Sequence, residues 1–143
     1  MFTKSCLIRK NTKHLRDKLI EFGYKIPPKQ YFEDRKEGLL CREKLAIGIP
    51  KNSYEFNIDE YLKNNQSIID CGTNEDLFLA LAALRDDTDV NQWFVIDVDS
   101  YKNISKGDWF KATEINGGFH VGTRIESLYC HKATVEELIE HFK

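Results

Sequence analysis

Three aspartates follow two apolar segments that the sequence predicts as β-strands. Residues 67–69 end in Asp70, and residues 94–96 end in Asp97, with Asp99 two positions further on the same strand face. If the strands are parallel neighbours, the carboxylates meet at the carboxyl edge of the sheet, where open α/β sheets bind ligands. Carboxylates placed there can hold Mg²⁺ for phosphoryl chemistry. The alternative is turn chemistry, because aspartates accept local backbone hydrogen bonds.

The segment from Ile68 to Ser100 resembles the Toprim arrangement of primases and related nucleases. In that arrangement an acid follows one strand, a helix comes next, and an Asp-x-Asp motif follows the second strand, as Asp97 and Asp99 do here. The resemblance implies a Mg²⁺-dependent phosphoryl-transfer enzyme or nuclease that uses Asp70, Asp97 and Asp99. The segment departs from the pattern at Asp70, where the family has glutamate, and no further matching acid follows Asp99.

A second candidate is Cys71, which opens the turn before a predicted helix. A thiol at a helix N-terminus can have a lowered pKa and act as a nucleophile, with His131 or His120 as its base. The alternative is a structural thiol, since free cysteines are among the most buried residues. The single Gly72 gives neither a P-loop nor a dinucleotide-binding loop.

The acidic stretch at residues 85–89 is a candidate for recognition rather than catalysis. Asp86, Asp87 and Asp89 form either a patch that steers a basic partner or an ordinary solvated loop. Trp93 and Trp109 would strengthen the recognition hypothesis if either of them is not fully buried.

Three strand-then-helix units must position these residues. The pattern predicts a strand at 2–8 with a helix at 11–22, a strand at 67–70 with a helix at 77–84, and a strand at 127–130 before a last helix. The 77–84 segment is apolar on every side, so we expect it to be the most buried helix. In the last helix Thr134 and Glu137 predict a capping box, and Val135, Leu138, Ile139 and Phe142 are expected to face the core.

The remaining segments are shorter. We expect strands at 39–41, 45–49 and 93–96, a helical turn at 59–63, and a β-hairpin over 109–125 around Asn116-Gly117-Gly118. The hairpin would bring Trp109 and Arg124 together as a cation–π pair. The expected fold class is therefore α/β or α+β, with a single mixed β-sheet and about three main helices packed on it.

Length and composition predict one globular domain over residues 1–143. The formal net charge of −2 argues against nucleic-acid binding, which usually requires a basic surface. Four scattered cysteines predict neither a disulfide framework nor a paired zinc site. No apolar run approaches the ~20 residues that span a membrane, and no secretory signal is expected. We expect a cytoplasmic protein without a resident cofactor, Mg²⁺ belonging only to the nuclease alternative.

Residues 69–75, 77–87 and 131–143 resemble short uncharacterised proteins from phages or mobile elements of gut anaerobes, a resemblance that implies no activity. Neither the carboxylate site nor the cysteine site is a complete catalytic constellation. By elimination the preferred hypothesis is a small non-enzymatic accessory or protein-interaction module, which binds another protein or itself.

Overall fold

The computed structural model describes residues 1–26, 37–49, 57–99, 105–112, 120–121, 124–125 and 130–143. The helices are α1 (Lys13–Phe22), α2 (Ile58–Asn64), α3 (Glu75–Ala82) and α4 (Val135–His141). The strands are β1 (Cys6–Ile8), β2 (Leu39–Arg42), β3 (Leu45–Gly48), β4 (Ile69–Asp70), β5 (Trp93–Ile96), β6 (Trp109–Lys111), β7 (His120–Val121), β8 (Arg124–Ile125) and β9 (Cys130–Lys132). No helix in these ranges is both long and apolar enough to cross a membrane.

The strands divide between separate sheets. A four-stranded mixed sheet has the order β3-β2-β1-β4, with β4 parallel to β1 and the other pairs antiparallel. A second sheet, β6-β5-β9, is antiparallel, and β7 pairs with β8. The fold is therefore α+β, one of the two classes expected, but the described strands form more than the one sheet that was predicted.

The mixed sheet is covered on both faces. Alternate residues of β1 point to opposite sides, so Cys6 and Ile8 pack with α1 and α3 while Leu7 packs with α2. This alternation explains why β1 is buried along its whole length. Its carboxyl end, where Arg9 follows, and the carboxyl end of β4 lie side by side because the two strands are parallel.

Helix α1 forms as its apolar spacing predicts. Leu15, Leu19 and Phe22 are buried, and the Thr12 hydroxyl accepts a hydrogen bond from the Leu15 amide. The helix ends at Gly23, whose φ of 101° lies in the left-handed region that glycine adopts without steric cost.

Helix α3 is the centre of the main core, which confirms the prediction for this segment. Phe78 and Leu81 are completely buried, and Asn74 caps the helix by accepting from the Leu77 amide. Within residues 77–84 only Leu79 is not fully buried, and its side chain lies beside a surface cavity.

Helix α4 begins with the predicted capping box between Thr134 and Glu137. Leu138 is buried, and Val135 and Phe142 pack against the core at its margin. The prediction for Ile139 is wrong: 39% of it is exposed, because the next residue along a helix turns away from the face that Leu138 buries.

The predicted hairpin over 109–125 depends on a turn at 116–118 that lies outside the described residues. Within the described part, β6 pairs with β5 through Phe94 and Phe110, and β7 pairs with β8. The side chain of Arg124, the expected partner of Trp109, also lies outside the described residues.

Candidate functional site

Asp70 belongs to a charge cluster that we call the Arg9 cluster, formed by Arg9, Asp59 and Asp70. The guanidinium donates to both oxygens of Asp70, with Nη2 to Oδ2 at 2.9 Å, and to Oδ1 of Asp59 at 2.7 Å. Partial burial opposes ionisation of Asp70, but the bonds from Arg9 and the Gly72 amide lower its pKa. The two carboxylates in turn raise the pKa of Arg9. Both carboxylates of the cluster are therefore already paired with the Arg9 guanidinium.

Asp97 and Asp99 lie elsewhere. Asp97 Oδ1 is 2.6 Å from Nδ1 of His131, and Asp99 accepts a hydrogen bond of 2.9 Å from the Lys106 amide. The expected convergence with Asp70 is wrong, because β4 belongs to the mixed sheet and β5 to the antiparallel one. Among the described residues there is no group of three or more His, Cys, Asp or Glu side chains that could hold a metal ion.

His131 is held between two carboxylates. Its Nδ1 faces Asp97, and its Nε2 lies 3.0 Å from Oε1 of Glu137. Glu137 first and Asp97 second raise the pKa of His131, since both stabilise the imidazolium. The cluster ties the end of β5 to β9 and to the first turn of α4. Both ring nitrogens of His131 are therefore engaged by carboxylates, so neither is placed as a base for Cys71.

Cys71 is a buried thiol. Burial raises its pKa, which suppresses the thiolate that a nucleophile requires. Its Sγ lies 3.9 Å from the Ile69 carbonyl oxygen, and its amide donates to Leu7 across the parallel pair. Of its two predicted bases, His131 is engaged as described, and the side chain of His120 lies outside the described residues. The geometry of Cys71 is that of the structural alternative.

The acidic stretch makes internal contacts. Asp86 and Asp87 lie 2.7 and 2.8 Å from the amino group of Met1, and Arg85 donates a forked pair of bonds to Asp87. Asp89 is buried and pairs with Lys132 at 2.9 Å. Much of the charge that could attract a basic partner is therefore balanced within the molecule.

Four aromatic side chains lie together at the margin of the core, and we call them the aromatic surface: Trp93, Trp109, His141 and Phe142. The His141 ring stacks on Trp109 with centroids 3.8 Å apart and an angle of 15°. Phe142 meets Trp93 edge-on at 5.4 Å, and the two tryptophans lie 6.4 Å apart. Both tryptophans are only partly buried, and His141 is exposed. Neither tryptophan is fully buried, although both pack against the main core.

Three elements build this surface. Trp93 begins β5 and Trp109 begins β6, and the antiparallel pairing of these strands places the two indoles on one side. The end of α4 supplies His141 and Phe142, and the Asn74 side chain fixes that end by donating to the Phe142 carbonyl.

A cavity of about 80 Å³ opens beside the aromatic surface. Leu79, Ala80, Trp93 and Phe142 give it apolar walls, and Asp76 and Lys111 contribute one charge of each sign. Neither Asp76 nor Lys111 forms an ion pair with any described residue, in contrast with the carboxylates of the Arg9 cluster. The arrangement can take an apolar side chain with charged groups on either side of it.

No known protein family, curated protein or solved structure matches this chain. The candidate site of this protein is therefore identified from the geometry of its described residues. The sequence identified Trp93 and Trp109 but not the role of His141 and Phe142. His141 and Phe142 contact tryptophans that lie more than thirty residues earlier in the chain. Local sequence patterns do not predict contacts over such distances.

Proposed function

We propose that this protein is a small non-enzymatic accessory module that binds another protein through the aromatic surface. The observation that carries the proposal is the pair of adjacent, incompletely buried tryptophans with His141 stacked on one of them. Tryptophan dominates the energetically important positions of protein interfaces, because its large rigid ring buries much area at little entropic cost.

The neighbouring cavity supports the same function. An interface needs a well-packed centre in which a partner side chain can be desolvated, and the cavity of about 80 Å³ beside Trp93 and Phe142 offers one. Asp76 and Lys111, which form no ion pair within the described part of the chain, supply charges for the polar rim of such an interface.

The state of the candidate catalytic residues also supports a binding role. Asp70 is bound by Arg9, His131 is held by two carboxylates, and Cys71 is buried with a raised pKa. We place the module in the cytoplasm, since its four cysteines are free and buried, as is usual in a reducing compartment.

The test compares a residue of the aromatic surface with an exposed residue of the other sheet. A partner captured by cross-linking in the native host is purified, and its affinity is measured for the parent protein, Trp109→Ala and Leu45→Ala. Leu45 is the control because it is 43% exposed at the start of β3, in the other sheet. We expect Trp109→Ala to weaken binding by 2 kcal/mol or more, about thirtyfold, and Leu45→Ala to leave it unchanged.

The proposal fails if purified partners bind the Trp109→Ala and Trp93→Ala variants as tightly as the parent protein. Circular dichroism of each variant must show the parent spectrum, so that a loss of affinity is not a loss of fold.

A further inference from the structure

Helix α2 covers one face of the mixed sheet without burying any residue of its own. The residues beneath it are apolar and at most 8% exposed, and we call them the covered face: Leu7, Leu40, Ile49 and Ile68. Ile58, Tyr61 and Leu62 of α2 pack against this face and stay partly exposed. On the opposite face of the sheet, α1 and α3 bury three and five of their residues. The attachment of α2 is therefore the weaker one.

Helix α2 cannot keep its conformation by itself. It has seven residues, whereas isolated helices shorter than about 12–15 residues are marginal in water. Contact with the covered face must therefore supply its stability, and that contact is made by side chains that water still reaches. We expect that less free energy is needed to detach α2 than to unfold α1 or α3.

The polar contacts of α2 with the sheet are exposed. Arg9 Nη2 donates to Oδ1 of Asp59 at 2.7 Å, but 80% of the Asp59 side chain is exposed, and exposed ion pairs contribute little. Arg9 also donates to Asp70 through Nε and Nη2, so the guanidinium keeps a carboxylate partner when Asp59 leaves. Arg42 Nη1 lies 3.3 Å from the Tyr61 hydroxyl, also at an exposed position. Detachment of α2 therefore breaks polar contacts that water can replace.

We propose that α2 is a movable cover, which detaches and unfolds while the sheets and the other helices keep their structure. Opening uncovers the covered face and leaves the main core packed, because the two faces of β1 contact different helices. The apolar area that opening exposes to water keeps the closed state dominant. The aromatic surface belongs to the other sheet and to the end of α4, so this inference is independent of the proposed function.

The first experiment measures amide hydrogen exchange by mass spectrometry. After correction for intrinsic rates, the amides of α2 should exchange about a hundredfold faster than those of α3, because α2 opens without global unfolding. Equal protection of the two helices overturns the proposal, since both would then open only when the whole protein unfolds.

A matched pair of substitutions separates opening of α2 from global unfolding. Ile68→Val and Ile8→Val each remove one buried methylene group, the first from the covered face and the second from the opposite face. Ile68→Val should speed exchange of α2 by about two- to tenfold, because α2 loses part of its contact. Ile8→Val should speed exchange of α3 by a similar factor and leave α2 unchanged, since the main core stays packed when α2 detaches. Acceleration of α2 by Ile8→Val as large as by Ile68→Val would contradict the movable cover.

The last experiment detects the uncovered face directly. Leu40→Cys places a thiol on the covered face, and the native Cys41 beside it in β2 lies on the opposite face, in the main core. Iodoacetamide should label the introduced thiol at least about tenfold faster than Cys41 in the same molecule, because opening of α2 exposes only the first. Any general loss of stability in the variant acts on both thiols. Equal labelling rates would therefore show that the covered face opens only with the whole fold.

Discussion

The Arg9 cluster and the aromatic surface differ in whether the charged side chains in and beside them form ion pairs with described residues. In the Arg9 cluster one guanidinium serves two carboxylates, and the Gly72 amide also donates to Asp70. Beside the aromatic surface, Asp76 and Lys111 form no ion pair with any described residue, and two tryptophans remain partly exposed. The first region uses its polar chemistry to hold strands and loops together. The second leaves its groups available for contact.

The difference follows from position in the fold. The Arg9 cluster lies where the parallel strands β1 and β4 end, so residues from distant parts of the chain are forced together there. The aromatic surface lies at the margin of the core, where α3, the antiparallel sheet and the end of α4 meet without closing over the rings. Sequence motifs point to the first region, because it contains the acids, whereas the exposed charges of the second region form no ion pair with any described residue.

The largest expected effect is on the free energy of unfolding. It distinguishes the buried face of α3 from the face that borders the cavity. Leu81→Ala should cost about 2–5 kcal/mol, since Leu81 is completely buried in the main core. Leu79→Ala should cost only about 1 kcal/mol, because Leu79 borders the cavity and is already partly exposed to it. Urea denaturation of both variants measures the difference, and equal losses would contradict the assignment of Leu79 to the open face.

A smaller effect is expected for the Arg9 cluster. Arg9→Met should lower the free energy of unfolding by about 1 kcal/mol, because two neighbouring carboxylates lose their shared cation. Lys13→Met is the control, since the exposed Lys13–Asp17 pair of α1 should contribute no measurable stability. Raising the salt concentration should shrink the Arg9 difference. An effect no larger than that of Lys13→Met would show that the cluster is not a structural clamp.

The smallest effect is a pH dependence at His131. Its folded-state pKa is raised by Glu137 and Asp97, so its contribution to stability is fully present below the unfolded pKa of about 6.5. That contribution is lost as the pH rises through the folded pKa. The stability difference between the parent and His131→Gln should therefore shrink above pH 6.5, as measured by urea denaturation at several pH values.

Removing one carboxylate sharpens this test. Asp97→Asn should lower the pKa of His131, measured by NMR titration of its ring, and should narrow the pH range over which the stability difference shrinks. A stability difference that is constant from pH 5.5 to 9 would contradict a charged role for His131.

Local patterns predicted much of the fold. The spacing of Leu15, Leu19 and Phe22 predicted α1, and Thr134 with Glu137 predicted the start of α4, because caps and apolar stripes involve residues only three or four positions apart. The apolar segment at 77–84 predicted the central helix for the same reason. The metal-site alternative required β4 and β5 to be parallel neighbours, but they belong to different sheets, and strand pairing depends on contacts across the whole chain.

The sequence by itself determined the helices, several of their caps and most of the buried strands, since propensity and periodicity act over short distances, whereas the choice between α/β and α+β depended on how the strands pair. Only the tertiary structure decided which polar groups meet: Arg9 with Asp70, His131 with Asp97, and His141 with Trp109. These partners are separated by tens of residues, and the free energy that selects them comes from packing the sheets and helices together. For the same reason the structure, rather than any motif, directs attention to the aromatic surface.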